Sequence, residues 1–203
     1  MKYSLIVLMW TSYCVLHSYL ISIRFTNLMN RLLKKYFAFY RIFYVILSLV
    51  LLILLINHSS QLTENEVIIC YNLPVNVLRY ILSGGSLFMF FWAFFFDYDA
   101  LSFFGIRQIM RFGKEKKVQH SEELKRTGLL GIIRHPMYFA LIVYLWCQIH
   151  SITDIVVNSV LTIYVVAGTI LEEKKLVLEF GESYIRYQME VPMLIPFTKT
   201  KTR

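Results

Sequence analysis

The sequence predicts an all-α integral membrane bundle of about five transmembrane helices, and three observations predict it. Apolar residues make up 57% of the 203-residue chain. They come in long blocks, whereas a water-soluble core would intersperse them with polar positions. Basic residues gather between these blocks and mostly on one side of them.

Five stretches carry the pattern: Leu5–Ile23, Phe37–Ile56, Leu73–Phe96, Pro136–His150 and Ile155–Leu171. An α-helix rises about 1.5 Å per residue, so about 20 residues cross the hydrocarbon layer. The first three stretches are long enough. The first is read as a retained span, because Arg24 and Arg31 follow it and no small-x-small cleavage site does. The last two are short. Ser151-Ile152-Thr153-Asp154 separates them and suits a tight turn. They read as a helical hairpin whose helices run on past the bilayer. Gly84-Gly85-Ser86, in the third stretch, reads as a place where a neighbouring helix comes close. Residues 1–96 form a three-helix membrane part in this reading, and 97–203 form a part with a loop, the hairpin and a C-terminal segment.

Charge sets the expected orientation. Of 21 Lys and Arg residues, 18 fall between spans one and two, between three and four, or after five, and Arg41 stands at the start of the second span on the same side. The 57–72 loop has none. The positive-inside bias then puts the N-terminus outside and the C-terminus in the cytoplasm. The net charge of +8 is a membrane signature in this setting and does not call for nucleic acid. Cys14, Cys70 and Cys147 are far apart and read as ordinary small side chains. No His or Cys spacing fits a metal site.

The hairpin has a chemical consequence. Residues equidistant from its turn lie at one depth, which brings Glu172 and Glu173 level with Ile133 and Ile132. Arg134, His135 and Tyr138 are then within about 8 Å along the axis. Pro136 is tolerated at a first helical position, where no N–H bond is lost. The helix end it marks favours an anion. His135 and Tyr138, three apart, share a helix face. Carboxylates beside a membrane are costly unless paired. A ligand with a carboxylate, a cationic centre and hydroxyls matches this set, and S-adenosylmethionine has all three. The plainer alternative is an interfacial salt bridge from Arg134 to the glutamates, with Tyr138 in the aromatic belt.

Arg134-His135-Pro136-Met137-Tyr138, Glu172-Glu173 and the ending FGESYIRYQMEVPMLIPF, from Phe180 to Phe197, resemble the isoprenylcysteine carboxyl methyltransferase superfamily. The likeness runs from about Asp97 to Phe197. It implies an integral-membrane methyltransferase with S-adenosylmethionine as cofactor. The pocket would be lined by His135, Pro136, Tyr138, Glu172 and Glu173. Ala140 stands where the family often has glycine. Upstream, Asp97 or Asp99, Phe104-Gly105 and Arg107-Gln108 are similar to the branch that holds methanethiol S-methyltransferases and NnrU-type proteins. The acceptor is then a small or lipidated thiol, or an isoprenylcysteine carboxylate. A thiol reacts as its thiolate, and Arg134 and Arg107 are the cations expected to favour an anionic acceptor. Membrane sterol reductases, which use NADPH, share Arg-His-Pro-x-Tyr but typically carry Asn where Met137 stands, and they are longer. A haem- or metal-linked protein using His17, His58 or His150 is a further alternative. A transporter would need duplicated halves, and the sequence has no internal repeat.

Overall fold

A computed structural model describes residues 1–62, 69–98, 100–110, 112 and 126–198, with Ser102 described by its backbone only. The fold is all-helical, without a strand among the described residues. In chain order the helices are α1 (Lys2–Ile21), α2 (Ile23–Leu33), α3 (Tyr40–Leu62), α4 (Leu73–Trp92), α5 (Ala100–Phe103), α6 (Ile106–Met110), α7 (Pro136–Cys147), α8 (Ile152–Phe180) and α9 (Glu182–Glu190). A π-helical segment, Ala93–Asp97, continues α4, and a 3-10 turn, Gly128–Gly131, precedes α7. Among the described residues, four helical stretches are long and apolar enough to cross a membrane: Lys2–Ile21, Ile23–Leu62, Leu73–Asp97 and Ile152–Phe180. Asp99 and the basic positions from Arg111 to Lys125 lie outside the described residues.

The chain divides into two compact units, Met1–Val67 with Asp99–Gln119, and Ile68–Tyr98 with His120–Arg203. In the first unit, α1 and α3 pack through polar groups on otherwise apolar faces. Trp10 Nε1 donates to Ser59 Oγ at 3.0 Å, and the Tyr40 hydroxyl to Leu20 O at 2.7 Å. His17 meets the Tyr44 hydroxyl at 2.7 Å. With water scarce, such pairs hold helices where burial of apolar surface cannot. The stretch between the first two predicted spans, read as a basic loop, forms α2. Ser22 caps it by accepting from Phe25 N at 3.3 Å. Its exposed Ile23, Leu28 and Leu32 share the helix with Arg24 and Arg31, the make-up of an interfacial helix.

Gly105 explains part of the Phe-Gly-x-Arg-Gln motif. Its φ is +81°, and a Cβ there would lie 2.9 Å from Arg41 Cβ. The chain passes this close because Arg41 Nε donates to Phe103 O at 3.0 Å. Gly105→Ala is expected to cost about 1–3 kcal/mol from backbone strain and the clash, read as a lower unfolding temperature in detergent.

In the second unit, α4 packs along α7. The small residues that face inward are Ser83 and Ser86, both buried. Gly84 and Gly85 are exposed and would accept a Cβ without contact. Of the three residues expected at a close approach, Ser86 is buried and the glycines are not, because helical rotation turns them away. Gln148 Nε2 donates to Ser83 Oγ at 2.7 Å.

Pro136 does open α7, as its missing N–H allows. The helix ends at Cys147, short of the predicted His150. Its 12 residues cover about 18 Å against a hydrocarbon thickness of about 30 Å. The reason lies in the next element. Ser151 and Asp154 form a reciprocal capping box, with Asp154 N to Ser151 Oγ at 3.2 Å and Ser151 N to Asp154 Oδ2 at 2.8 Å. Ile152 to Asp154, expected in the turn, are thus the first turn of α8. The irregular residues around α7 have their backbone groups tied down, as a site poor in water requires. Arg134 N donates to Pro192 O at 2.9 Å, His135 N to Met193 O at 3.1 Å and Ile69 N to His150 O at 2.8 Å. At 29 residues, α8 outruns the bilayer as expected. Gly181, at φ +58°, ends it and turns the chain into α9.

Candidate functional site

The polar end of α8 meets the start of α7, and α9 closes over both. Glu173 is at the centre. Its Oε1 accepts from Arg134 Nε at 2.9 Å, His135 Nε2 at 2.8 Å and the Tyr184 hydroxyl at 2.7 Å. Its Oε2 accepts from Arg134 Nη2 at 2.7 Å and Gln188 Nε2 at 2.6 Å. Arg134 and Glu173 therefore form a two-pronged pair, the strongest arrangement open to these groups. The other guanidinium nitrogen of Arg134, Nη1, donates to Gln188 O at 3.1 Å and to Val191 O. Arg134, His135 and Glu173 are 8%, 2% and 6% exposed. A buried ion pair is favourable only when its remaining donors and acceptors are also met, and here they are.

An ionised carboxylate only accepts, so the proton on His135 is assigned to Nε2. Nδ1 of the same ring faces Glu172 Oε2 at 3.8 Å, and the Glu172 side chain is 37% exposed. The His135 and Tyr138 rings stack at 5.5 Å. The Tyr138 hydroxyl is close to Glu172 and Tyr98. Tyr98 arrives from α4 through the π segment, its N–H bonded five residues back to Ala93 O at 2.9 Å. Such one-turn π segments are common at functional sites. Next to Tyr98, Asp97 approaches Gly128, where a Cβ would lie 2.7 Å from Oδ1.

The tyrosines of α9 are firmly protonated. Burial, then the hydrogen bond and charge of Glu173, hold Tyr184 well above the usual phenol range. Burial pushes Tyr187 up to about 12, against the pull of Arg134; its hydroxyl donates to Leu130 O at 2.5 Å. The Tyr187 proton is thus bound more tightly in the folded chain than at the unfolded value of about 10. Stability is expected to fall as pH rises from about 10 to about 12, and less so in Tyr187→Phe. Thermal unfolding over that alkaline range checks this.

Of the residues singled out in sequence, Arg134, His135, Pro136, Tyr138, Glu172 and Glu173 come together. Arg107 lies on α6, which belongs to the first unit, and the others belong to the second. Sequence reading missed Tyr184, Tyr187, Gln188 and Tyr98. For the first three, the three- and four-residue spacing in Glu182–Glu190 was the available signal. Arg126, also missed, donates to Ser183 O at 2.5 Å and pairs with Glu190 at 3.3 Å. His150, one of the candidate metal ligands, contacts Arg79 at 3.3 Å and Gln148 O at 2.9 Å.

A family model described as "Protein of unknown function (DUF1295)" matches residues 8–190. The chain belongs to the DUF1295 family. The expected likeness to isoprenylcysteine methyltransferases stands with that membership. This DUF1295 chain is 37% identical over 100 residues to a methanethiol S-methyltransferase of Crocosphaera subtropica, covering 49% of this chain and 39% of that protein. It is 45% identical over 73 residues to one from Pseudomonas deceptionensis, covering 35% and 28%. Methanethiol S-methyltransferase 1 of Bradyrhizobium diazoefficiens is 33% identical over 100 residues, covering 48% and 34%. The matches thus span well under half of these relatives. No solved structure matches this DUF1295 chain.

Proposed function

We propose that this protein is a membrane methyltransferase that uses S-adenosylmethionine, with a thiol such as methanethiol as acceptor. The Glu173-centred cluster carries the reading, because it locks the Arg-His-Pro-x-Tyr corner in place and leaves a different set of groups turned toward a ligand. That set fits the cofactor's chemistry. The amino end of α7 has no side-chain cap and suits the carboxylate. Glu172 supplies charge opposite to the cationic centre. Tyr138 and Tyr98 offer hydroxyls for a ribose. Bound there, S-adenosylmethionine would supply an electrophilic methyl group.

The chain's own contribution is alignment and exclusion of water. Arg134 and Glu173 satisfy each other and the backbone, so their role is to position α7 against α8 and α9. Pro136 starts the helix without an N–H that would compete for ligand. His135, locked through Nε2, orients Tyr138 by ring stacking. The charge asymmetry supports a cytoplasmic side for this cluster, within reach of soluble cofactor.

Membranes holding the protein are to be incubated with methyl-labelled S-adenosylmethionine and, in parallel, methanethiol, a prenylcysteine and a phospholipid. Label in dimethyl sulfide is the expected result. Label in the prenylcysteine ester would reassign the acceptor, and no labelled product would count against the reading.

A further inference from the structure

The two adjacent glutamates have different chemical standing. Glu173 accepts five hydrogen bonds and is 6% exposed. Glu172 is 37% exposed and has His135 Nδ1 behind it at 3.8 Å. Among the described residues that nitrogen makes no hydrogen bond, while Nε2 of the same ring is fixed on Glu173 at 2.8 Å. Glu173 is committed to its five donors, which leaves Glu172 as the carboxylate of the pair open to an acceptor. A neutral thiol needs a base, since it is at most a few per cent thiolate at neutral pH. Arg134 cannot favour the thiolate by charge, because its guanidinium is already held by Glu173, Gln188 O and Val191 O.

We propose that Glu172, backed by His135, takes the proton of a neutral thiol acceptor. This rests on the methyltransferase reading. The S–H bond breaks and its proton passes to a Glu172 oxygen. The sulfur's electron pair forms the new S–CH3 bond. The pair from the broken C–S+ bond stays on the cofactor's sulfur, giving a neutral thioether, and the proton leaves to water. The groups around Glu172 are His135 and Tyr138 from α7 and Tyr98, which follows the π segment; Asp97 and Tyr187 lie near Tyr98 in turn. The tyrosines are protonated at neutral pH and offer no base, and Asp97 lies against Gly128.

Acceptor acidity separates this role from cofactor binding. Wild type and Glu172→Gln are assayed at saturating S-adenosylmethionine with methanethiol, which is mostly neutral at pH 7, and with 4-nitrothiophenol, which is already ionised. The variant is expected to lose at least about 20-fold more on methanethiol than on 4-nitrothiophenol, since any loss of charge opposite the sulfonium falls on both thiols alike. Its affinity for S-adenosylhomocysteine, by calorimetry, is expected to stay within threefold of wild type. Equal losses on both thiols, or no loss on methanethiol, overturn the proposal. A wild type that binds no S-adenosylhomocysteine and methylates neither thiol defeats the methyltransferase reading instead.

Discussion

Glu173→Ala is expected to lower stability by about 3–5 kcal/mol, because it leaves the Arg134 guanidinium buried without its counter-charge. Arg134 is 8% exposed, and two of its nitrogens point at Glu173. His135 Nε2, Tyr184 and Gln188 lose their acceptor in the same stroke. Against a total stability of about 5–15 kcal/mol, such a loss reaches the whole second unit. The C-terminal segment should loosen as well, since Arg134 also holds Val191 O and its own N–H holds Pro192 O. Affinity for S-adenosylhomocysteine is expected to disappear with it. The double variant Arg134→Met/Glu173→Met should recover part of the stability, because an apolar pair leaves no charge uncompensated. Unfolding temperatures of Arg134→Met, Glu173→Met and the double variant, combined with wild type as a double-mutant cycle, measure the coupling.

Arg79→Ala carries the second large effect, expected at about 2–4 kcal/mol. Arg79 lies on α4 and reaches the carboxyl end of α7. Nε and Nη2 donate to Cys147 O at 3.0 and 2.9 Å, and Nη2 to Ile149 O at 2.9 Å. These carbonyls have no partner within a helix, and a cation also suits the negative end of the helix dipole. The guanidinium lies over the Tyr71 ring at 4.1 Å. Arg79→Lys is expected to restore only part of the loss, because an ammonium cannot fork across two carbonyls while stacking on a ring. Hydrogen exchange should speed up at the end of α7 in both variants, and more in the alanine one.

These two sites differ in how far the sequence disclosed them. The Arg134–Glu173 encounter was readable, because a hairpin relates residues on either side of its turn by simple counting. Pro136 was readable as a helix start for an equally local reason. The donors Tyr184 and Gln188 were not, since they come from a third helix whose direction depends on Gly181 at φ +58°. Counting residues cannot supply that turn angle. Arg79 was visible only as a charge inside an apolar stretch. Its partners are backbone carbonyls about seventy residues away, which leave no trace in side-chain pattern. The end of α7 was misplaced because Ser151 and Asp154 read equally well as a turn or as a capping box. Gly84 and Gly85 misled because small size marks where a helix can approach and leaves open whether one does. Ser83 and Ser86, one position to either side, face α7 because of helix rotation, which no composition rule fixes.

Titrating the purified, detergent-solubilised protein with S-adenosylhomocysteine by calorimetry, beside Tyr138→Phe, tests the central claim most directly. The account predicts one site per chain. It also predicts about tenfold weaker binding when the Tyr138 hydroxyl is removed, the effect of one lost hydrogen bond, at an unchanged unfolding temperature. No binding by wild type, or equal affinity in the two proteins, would contradict it.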